Sequence, residues 1–327
     1  MPFLAAGRYA FYPFCMSTLC LVTGGAGFIG SHLVEGLTAA GHRVRVLDNF
    51  CTGLRDNLAH VSPAPEIVDG DVGDPAVAER ATAGVGLVFH LAALASVQQS
   101  VENPAATHRT CATGTLNILD AARRHKVRRV VYAASSSAYG VPAGDVQTEA
   151  DPLTPLSPYA AAKLAGELYM QAFAATYGLE TVRLRFFNIF GPRQRADSPY
   201  SGVIALFTAA LTAGRTPSVF GDGLQSRDFT YVTDVVQALM KAAEVPGVSG
   251  RVYNVGTGRS VNLLELIAAL NRELGTNLTP KHGPSRAGDV RFSRADITRA
   301  RRELGYEPRV AFADGLAETL RWYRSQG

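Results

Sequence analysis

Short apolar runs without polar alternation recur along the chain, as expected of strands buried on both faces, and stretches with helical spacing follow them. The first run is Leu19–Thr23 (LCLVT), which leads directly into the glycine cluster 24–30 (GGAGFIG). A helix is predicted over 31–40, where Leu33, Val34 and Leu37 share one face and Gly41 ends the run. A second strand is predicted over 43–47, closed by Asp48. Further runs at 67–68, 87–91, 127–133 and 181–186 alternate with helical patterns at 113–125 and 158–177. This repetition of strand and helix predicts an α/β fold: a Rossmann-like, doubly wound parallel sheet.

The rhythm breaks after about residue 188, with Gly and Pro clusters at 191–202, 214–223 and 246–259. A smaller α/β lobe is expected there. Its core is read from 252–255 and from a helix over 263–274, opened by the Asn262 to Glu265 capping-box pattern. The expected organisation is an N-terminal extension over 1–17, a first domain over 18–187 completed by part of 228–258, and a second lobe over 188–327. Met16 stands directly before Ser17, Thr18 and the first apolar run. Either residue 16 is the natural start or the first fifteen residues form a loose arm. They show no signal-peptide pattern, lacking a continuous apolar core and a cleavage site.

Composition narrows the class. The 327 residues are 47% hydrophobic and 18% charged, which excludes disorder and fibrous structure. The longest near-apolar stretch, 203–213, falls short of the roughly 20 residues of a membrane-spanning helix. Lys plus Arg number 32 and Asp plus Glu 28, a net +4 spread without a basic run; this argues against nucleic acid and suits an anionic small molecule. Cys15, Cys20, Cys51 and Cys111 have neither CxxC nor zinc-ligand spacing, so free thiols in a reducing cytoplasm are expected and no metal site.

The glycines parse as Gly24, Gly27 and Gly30, or with Gly25 in place of Gly24, between a strand and a helix. Glycine lets backbone N–H groups approach a pyrophosphate at the helix N-terminus, where the dipole favours negative charge. Asp48 lies 18 residues after Gly30, placed to bond both hydroxyls of an adenosine ribose. Its carboxylate would repel a 2′-phosphate, so NAD is favoured over NADP. Three serines, Ser135, Ser136 and Ser137, end the fifth run, and Tyr159 and Lys163 follow one helical turn apart. For Tyr159 to act as a base near neutrality its pKa must fall by about three units, or about 4 kcal/mol. A neighbouring ammonium and a cationic nicotinamide push it that way.

TGGAGFIGSHL, Asp48-Asn49-Phe50, Gly70-Asp71-Val72, His90-Leu91-Ala92-Ala93, SSSAYG and SPYAAAK together resemble the extended short-chain dehydrogenase/reductase family from about residue 19 to the C-terminus. The segments 185–194, 226–234 and 286–300 resemble its nucleotide-sugar 4-epimerases, above all those acting on UDP-hexoses. The resemblance implies NAD held by Gly24, Gly27, Phe28, Ile29, Gly30, Asp48, Asn49, Asp71, Val72, Leu91, Ala92, Ala93 and Phe186, together with Tyr159 and Lys163. It implies that Tyr159 removes the O4 proton of a UDP-sugar as the C4 hydride leaves, that Ser135 shares that hydrogen bond, and that Lys163 binds the nicotinamide ribose.

Substrate contacts are implied, by the same resemblance, for Arg227 and Arg286 on the diphosphate, Asn188 near the sugar phosphate and Asp289 on the uridine ribose. Gln194 and Arg195 would line the sugar side, and Val219 and Phe220 would pack near the uracil. Ser96, Ser136, Ser137 and Val203 complete the set. Related dehydratases and decarboxylases carry an acid one or two places after the catalytic Ser; Ser136 and Ser137 stand here. Two positions depart from the family pattern. Cys111 replaces a usual Asn on the nicotinamide side, and Ser293 stands where enzymes restricted to UDP-glucose and UDP-galactose carry a bulky Tyr, leaving room for a 2-N-acetyl group. The expected activity is therefore C4 epimerisation of UDP-glucose, UDP-N-acetylglucosamine or both, in a homodimer paired through helices near 100–125 and 158–177. UDP-glucuronate epimerisation, decarboxylation or dehydration, and a non-catalytic NAD sensor remain as alternatives.

Overall fold

Buried strand residues and glycine-ended helices set out one large parallel sheet. A computed structural model describes residues 17–141, 144–195, 202–285 and 291–326. Residues 1–16 with Cys15, and the candidate ligands Arg286 and Asp289, lie outside the described residues. Six strands come in order: β1 Leu19–Thr23, β2 Arg43–Asp48, β3 Glu66–Asp69, β4 Leu87–His90, β5 Arg129–Ser135 and β6 Glu180–Phe186. A seventh, Arg251–Val255, pairs in parallel with β6. Across the sheet the order is Arg251–Val255, β6, β5, β4, β1, β2, β3. The 252–255 run, read from sequence as core of the second lobe, is thus an edge strand of the main sheet, and it is the part of 228–258 that completes that sheet.

The chain direction across the sheet reverses between β1 and β4, both hydrogen-bonded neighbours in the register Cys20↔Leu87 to Thr23↔His90. Loops leaving neighbouring strands to opposite sides at such a point open a crevice beyond their carboxyl ends. Two apolar layers cover the sheet. One joins Leu33, Val34 and Leu37 of helix α1 (Phe28–Ala39) with Val235, Val236 and Leu239 of helix Val232–Glu244. The other joins Ile118, Leu119, Val130, Tyr132 and Met170.

A third core holds Phe190, Ile204, Leu211, Val219, Leu266, Leu316 and Leu320, the smaller lobe, and Phe28 and Ile29 of α1 lean against it. The predicted capping box is present: Asn262 accepts from the Glu265 N–H at 2.9 Å, and the Glu265 carboxylate accepts from the Asn262 N–H at 2.9 Å. The loop after β6 is fastened to α1. Arg193 donates to Glu35 at 2.6 Å and to Ser31 at 3.1 Å, while His32 donates to the Pro192 carbonyl at 2.9 Å. No helix among the described residues is long and apolar enough to cross a membrane.

Candidate active site

Helix α1 begins at Phe28, three residues earlier than its apolar pattern suggests, because the glycine loop itself supplies the first turn. No side chain caps it at Gly27, so its first-turn donors face outward. A Cβ on Gly30 would stand 2.1 Å from the Gly24 carbonyl oxygen, one on Gly27 3.2 Å from the same atom, and one on Gly24 2.9 Å from Ala92. The glycines therefore let strand, loop and helix close on one another and leave a bare cradle at a helix N-terminus, which fits a dinucleotide pyrophosphate. Asp48 is buried at the end of β2; its carboxylate accepts from Ala26 N–H at 2.9 Å and Phe50 N–H at 2.8 Å. Burial raises its pKa and these two donors oppose the rise. Asn49 reaches Asp71 at 3.5 Å, and Asp71 accepts from Gly73 N–H at 2.7 Å, so the loops after β2 and β3 meet here.

At the far side of the crevice, Ser135 ends β5 in register with Phe186. Its hydroxyl accepts from the Ser137 N–H at 3.2 Å and lies 2.8 Å from the Ser137 hydroxyl. The tight turn that follows needs Gly140 at φ 65°, where a Cβ would collide with Thr154. The helix Pro158–Tyr177 starts with Pro at its first position and Ser157 accepting from the Ala160 N–H. Tyr159 and Lys163 occupy its first two turns on one face. The Tyr159 phenol lies near enough to Ser135 for the serine hydroxyl to favour its ionised form.

Burial pushes the Tyr159 phenol well above the ordinary tyrosine range, nearby Cys111 adds to the rise, and the Ser135 hydroxyl opposes it. Lys163 is only 2% exposed, and burial lowers its ammonium to about 8, with Cys111 and Glu167 opposing. Both shifts favour neutral side chains, so the protein alone leaves Tyr159 protonated at neutral pH. The downward shift expected of a base has to come from positive charge brought into the crevice with the cofactor.

Cys111 occurs in a π-helical turn, Arg109–Thr113, that joins the short helix Pro104–His108 to the helix Gly114–Arg124, the one predicted over 113–125. Its buried thiol packs with Ala162 and Tyr159, and burial raises its pKa, opposed by Lys163 and by the Leu94 backbone N–H. Such a turn is common where a helix must re-aim a side chain at a site. Of the other sequence candidates, Ser96 caps helix Val97–Glu102 by accepting from Gln99 N–H, and Leu91 and Ala92 donate to the Thr23 hydroxyl at 3.1 Å each. Ala93 packs with Cys111 and Tyr159, Val72 is buried against Gly114, and Ser136 is half-buried at the start of the turn after β5.

In the smaller lobe, Arg227 and Ser293 are paired residues of neighbouring short strands, which brings a diphosphate candidate and a pocket candidate side by side. Asn188, at φ 37°, donates to the Asp228 carbonyl at 3.4 Å. Phe220 is half-buried at the end of the strand Ser218–Phe220, whereas the Val219 side chain lies in the third core. Gln194 donates to Ile189 O at 3.1 Å, Arg195 is exposed, and Val203 opens the helix Val203–Thr212.

The sequence patterns passed over two buried groups. Asp228 accepts from the N–H groups of Thr257, Gly258 and Ala295 and from the Thr257 hydroxyl at 2.6 to 3.1 Å, fixing Arg227 and the loop after the seventh strand. His90 is 1% exposed, and burial pushes its ring down to about 3, with Lys163 adding to the shift. An unfolded His titrates near 6.5, so between pH 6.5 and 3 the unfolded chain binds the proton that the native ring refuses. Stability supplied by this group is complete above pH 6.5 and falls with decreasing pH. About 2 kcal/mol should be lost between pH 7 and pH 5. Urea denaturation at the two pH values is expected to show this component in the wild type and its absence in His90→Gln.

The sequence profile of the NAD dependent epimerase/dehydratase family matches residues 20–256. A curated relative, the UDP-glucose 4-epimerase of Mycolicibacterium smegmatis, is 42% identical, covering 94% of this chain and 98% of that protein. The dTDP-glucose 4,6-dehydratase of Streptomyces niveus is 37% identical over 93% of this chain and 92% of that protein. Among solved structures, UDP-N-acetylglucosamine 4-epimerase from Methanobrevibacter ruminantium, in complex with UDP-N-acetylmuramic acid, superposes with a TM-score of 0.91 at 36% identity, covering 96% of this chain and all of that one. The Thermus thermophilus UDP-glucose 4-epimerase complex with NAD gives 0.86 at 36% identity over 94% of this chain and all of that one.

Proposed function

Because the chain belongs to the NAD dependent epimerase/dehydratase family and uses its cofactor, NAD, we propose that it inverts C4 of a UDP-hexose through a 4-keto sugar. The observation that carries this reading is the neighbourhood of Ser135. The residues beside it are Ser136 and Ser137, and the group within 2.8 Å of its oxygen is the Ser137 hydroxyl. Dehydration and decarboxylation need a further acid–base group acting beyond C4, and no carboxylate follows Ser135 in the turn 136–139.

When bound, NAD supplies a reversible acceptor for the C4 hydride. The chain does the rest. Tyr159, ionised to its phenolate, takes the O4 proton as the ketone forms and returns it as the hydroxyl is restored, and Ser135 holds O4 within reach. Lys163, one turn along, holds the ribose hydroxyls beside the reacting carbon. Arg227 grips the diphosphate, and the sugar between these anchors is left free to turn. Ser293, in register with Arg227, leaves room at C2. We read UDP-N-acetylglucosamine as a substrate alongside UDP-glucose.

The exposed aromatic residues Tyr169 and Tyr177, lining a groove of about 510 Å³ together with Leu116 and Phe173, suit a homodimer contact. The test of the whole reading is incubation of the purified protein with UDP-glucose, UDP-N-acetylglucosamine and UDP-glucuronate separately, with the C4 epimers resolved by chromatography. Epimer formation without loss of mass supports it. Release of water or carbon dioxide from the sugar overturns it in favour of the dehydratase or decarboxylase chemistry. In the same assay Ser293→Tyr is expected to cut conversion of UDP-N-acetylglucosamine at least about tenfold relative to UDP-glucose, since one badly placed side chain is worth 1–3 kcal/mol. Equal losses for both sugars would remove Ser293 from the pocket.

A further inference from the structure

One buried polar chain runs between the two halves of the candidate site, and each of its protons can be assigned. The Thr115 hydroxyl donates to the Cys111 carbonyl at 2.6 Å, which can only accept. Thr115 oxygen is then an acceptor for His90 Nε2–H at 3.0 Å. With that tautomer set, His90 Nδ1 is an acceptor, and the Thr23 hydroxyl donates to it at 2.7 Å. Thr23 oxygen is left to accept from Leu91 N–H and Ala92 N–H. The chain thus joins the loop after β4 to the π turn that places Cys111 against Tyr159. A second proton on His90 would orphan the Thr23 hydroxyl, so the arrangement holds only with a neutral ring.

The same imidazole stacks on Tyr132, with ring centroids 5.7 Å apart and planes 26° from parallel. The face of Tyr132 carries the Lys163 Nζ at 4.2 Å from its centroid, and its hydroxyl donates to the Lys163 carbonyl at 3.2 Å. Gly166 makes the approach possible, since a Cβ there would meet the Tyr132 oxygen at 2.3 Å. An ammonium over an aromatic face is attracted by its quadrupole. The titratable groups that act on Lys163 are Tyr132, Cys111, Glu167 and His90, with Tyr159 one helical turn away, and Glu167 is itself held by Arg185 at 2.9 Å.

We propose that neutral His90, with the Tyr132 ring it braces, is a positioning residue that seats Lys163 and sets its distance from Tyr159. This rests on the proposed roles of Tyr159 and Lys163. The test compares the NAD-loaded wild type with His90→Phe, which keeps a ring on Tyr132 but breaks both hydrogen bonds, and His90→Gln, which keeps one acceptor and one donor. His90→Phe is expected to lower kcat about 10- to 100-fold, the cost of a small misplacement of a reacting group. KM for the nucleotide sugar should stay within about twofold and the acid limb of the kcat–pH profile should move, with His90→Gln restoring part of both.

Histidine 15N NMR of the wild type, with His90 assigned by its absence in His90→Gln, is expected to show the Nε2–H tautomer unchanged from pH 5 to 9. A loss of activity with a pH profile superimposable on the wild type would overturn the proposal, as would an Nδ1–H tautomer or a ring that titrates in that range. If the wild type converts none of the UDP-sugars, the catalytic reading fails, while the tautomer measurement still decides the state of His90.

Discussion

Replacing Tyr159 with Phe is expected to lower kcat for epimerisation by about 1000-fold or more while NAD stays bound and KM changes little. The phenol is the group of the helix Pro158–Tyr177 that meets Ser135, and removing one oxygen leaves the helix cap, the Lys163 turn and the packing of the ring in place. The loss falls on the proton transfer alone. Ser135→Ala should be milder, about 10- to 100-fold, because Tyr159 keeps its place and only one shared hydrogen bond goes. The wild-type pH profile carries a second signature. Burial raises the Tyr159 phenol and the positive charge of bound NAD opposes that rise, so kcat should climb along an acid limb as the phenol ionises and then level off, within about pH 6 to 9. That climb should vanish in Tyr159→Phe. Steady-state rates across this range, with NAD content measured after denaturation, check both statements. A variant that keeps a tenth of the wild-type rate would remove Tyr159 from the role of base.

Much of this arrangement was legible in the chain because it is local. A buried strand running into close-set glycines and a helix, or a Tyr and a Lys four residues apart behind a Pro-led helix start, are patterns in which spacing and geometry coincide. The main sheet followed from the alternation of runs. What escaped the sequence depends on distance along the chain. His90 bonds to Thr23, 67 residues before it, and to Thr115, 25 residues after it. Its place in the segment His90-Leu91-Ala92-Ala93 was visible, but its partners were not. The π turn around Cys111 has no compositional mark, since one inserted residue leaves the helical pattern readable on either side. The edge strand Arg251–Val255 was misplaced because 64 residues, among them strands and a helix of the other lobe, separate it from its partner β6. Asp228 reads as an ordinary polar residue of a loop until the fold brings Thr257 and Ala295 to it.

A change at Gly30 should be as damaging as one at Tyr159, by a different route. Gly30→Ala is expected to cost about 3 kcal/mol or more of stability and to yield protein largely free of NAD. The added carbon would stand 2.1 Å from the Gly24 carbonyl oxygen and 2.8 Å from the Gly25 Cα, all backbone, so no side chain can turn aside to admit it. Either α1 moves off β1 or the glycine loop is pushed outward. In both cases the first-turn donors leave the position they hold at the crevice. Gly41→Ala separates this from a general effect of losing a glycine. Gly41 stands at φ 86° with nothing within 4 Å of a Cβ, so its replacement costs only the left-handed backbone, about 1 kcal/mol, and leaves the cradle untouched. Thermal unfolding and released NAD should therefore fall together in Gly30→Ala but separate in Gly41→Ala. If Gly30→Ala keeps full NAD, the cradle is not where the pyrophosphate sits. The close contact of loop and helix would then be a packing feature, and the cofactor would be held chiefly by Asp48 and the loops after β2 and β3.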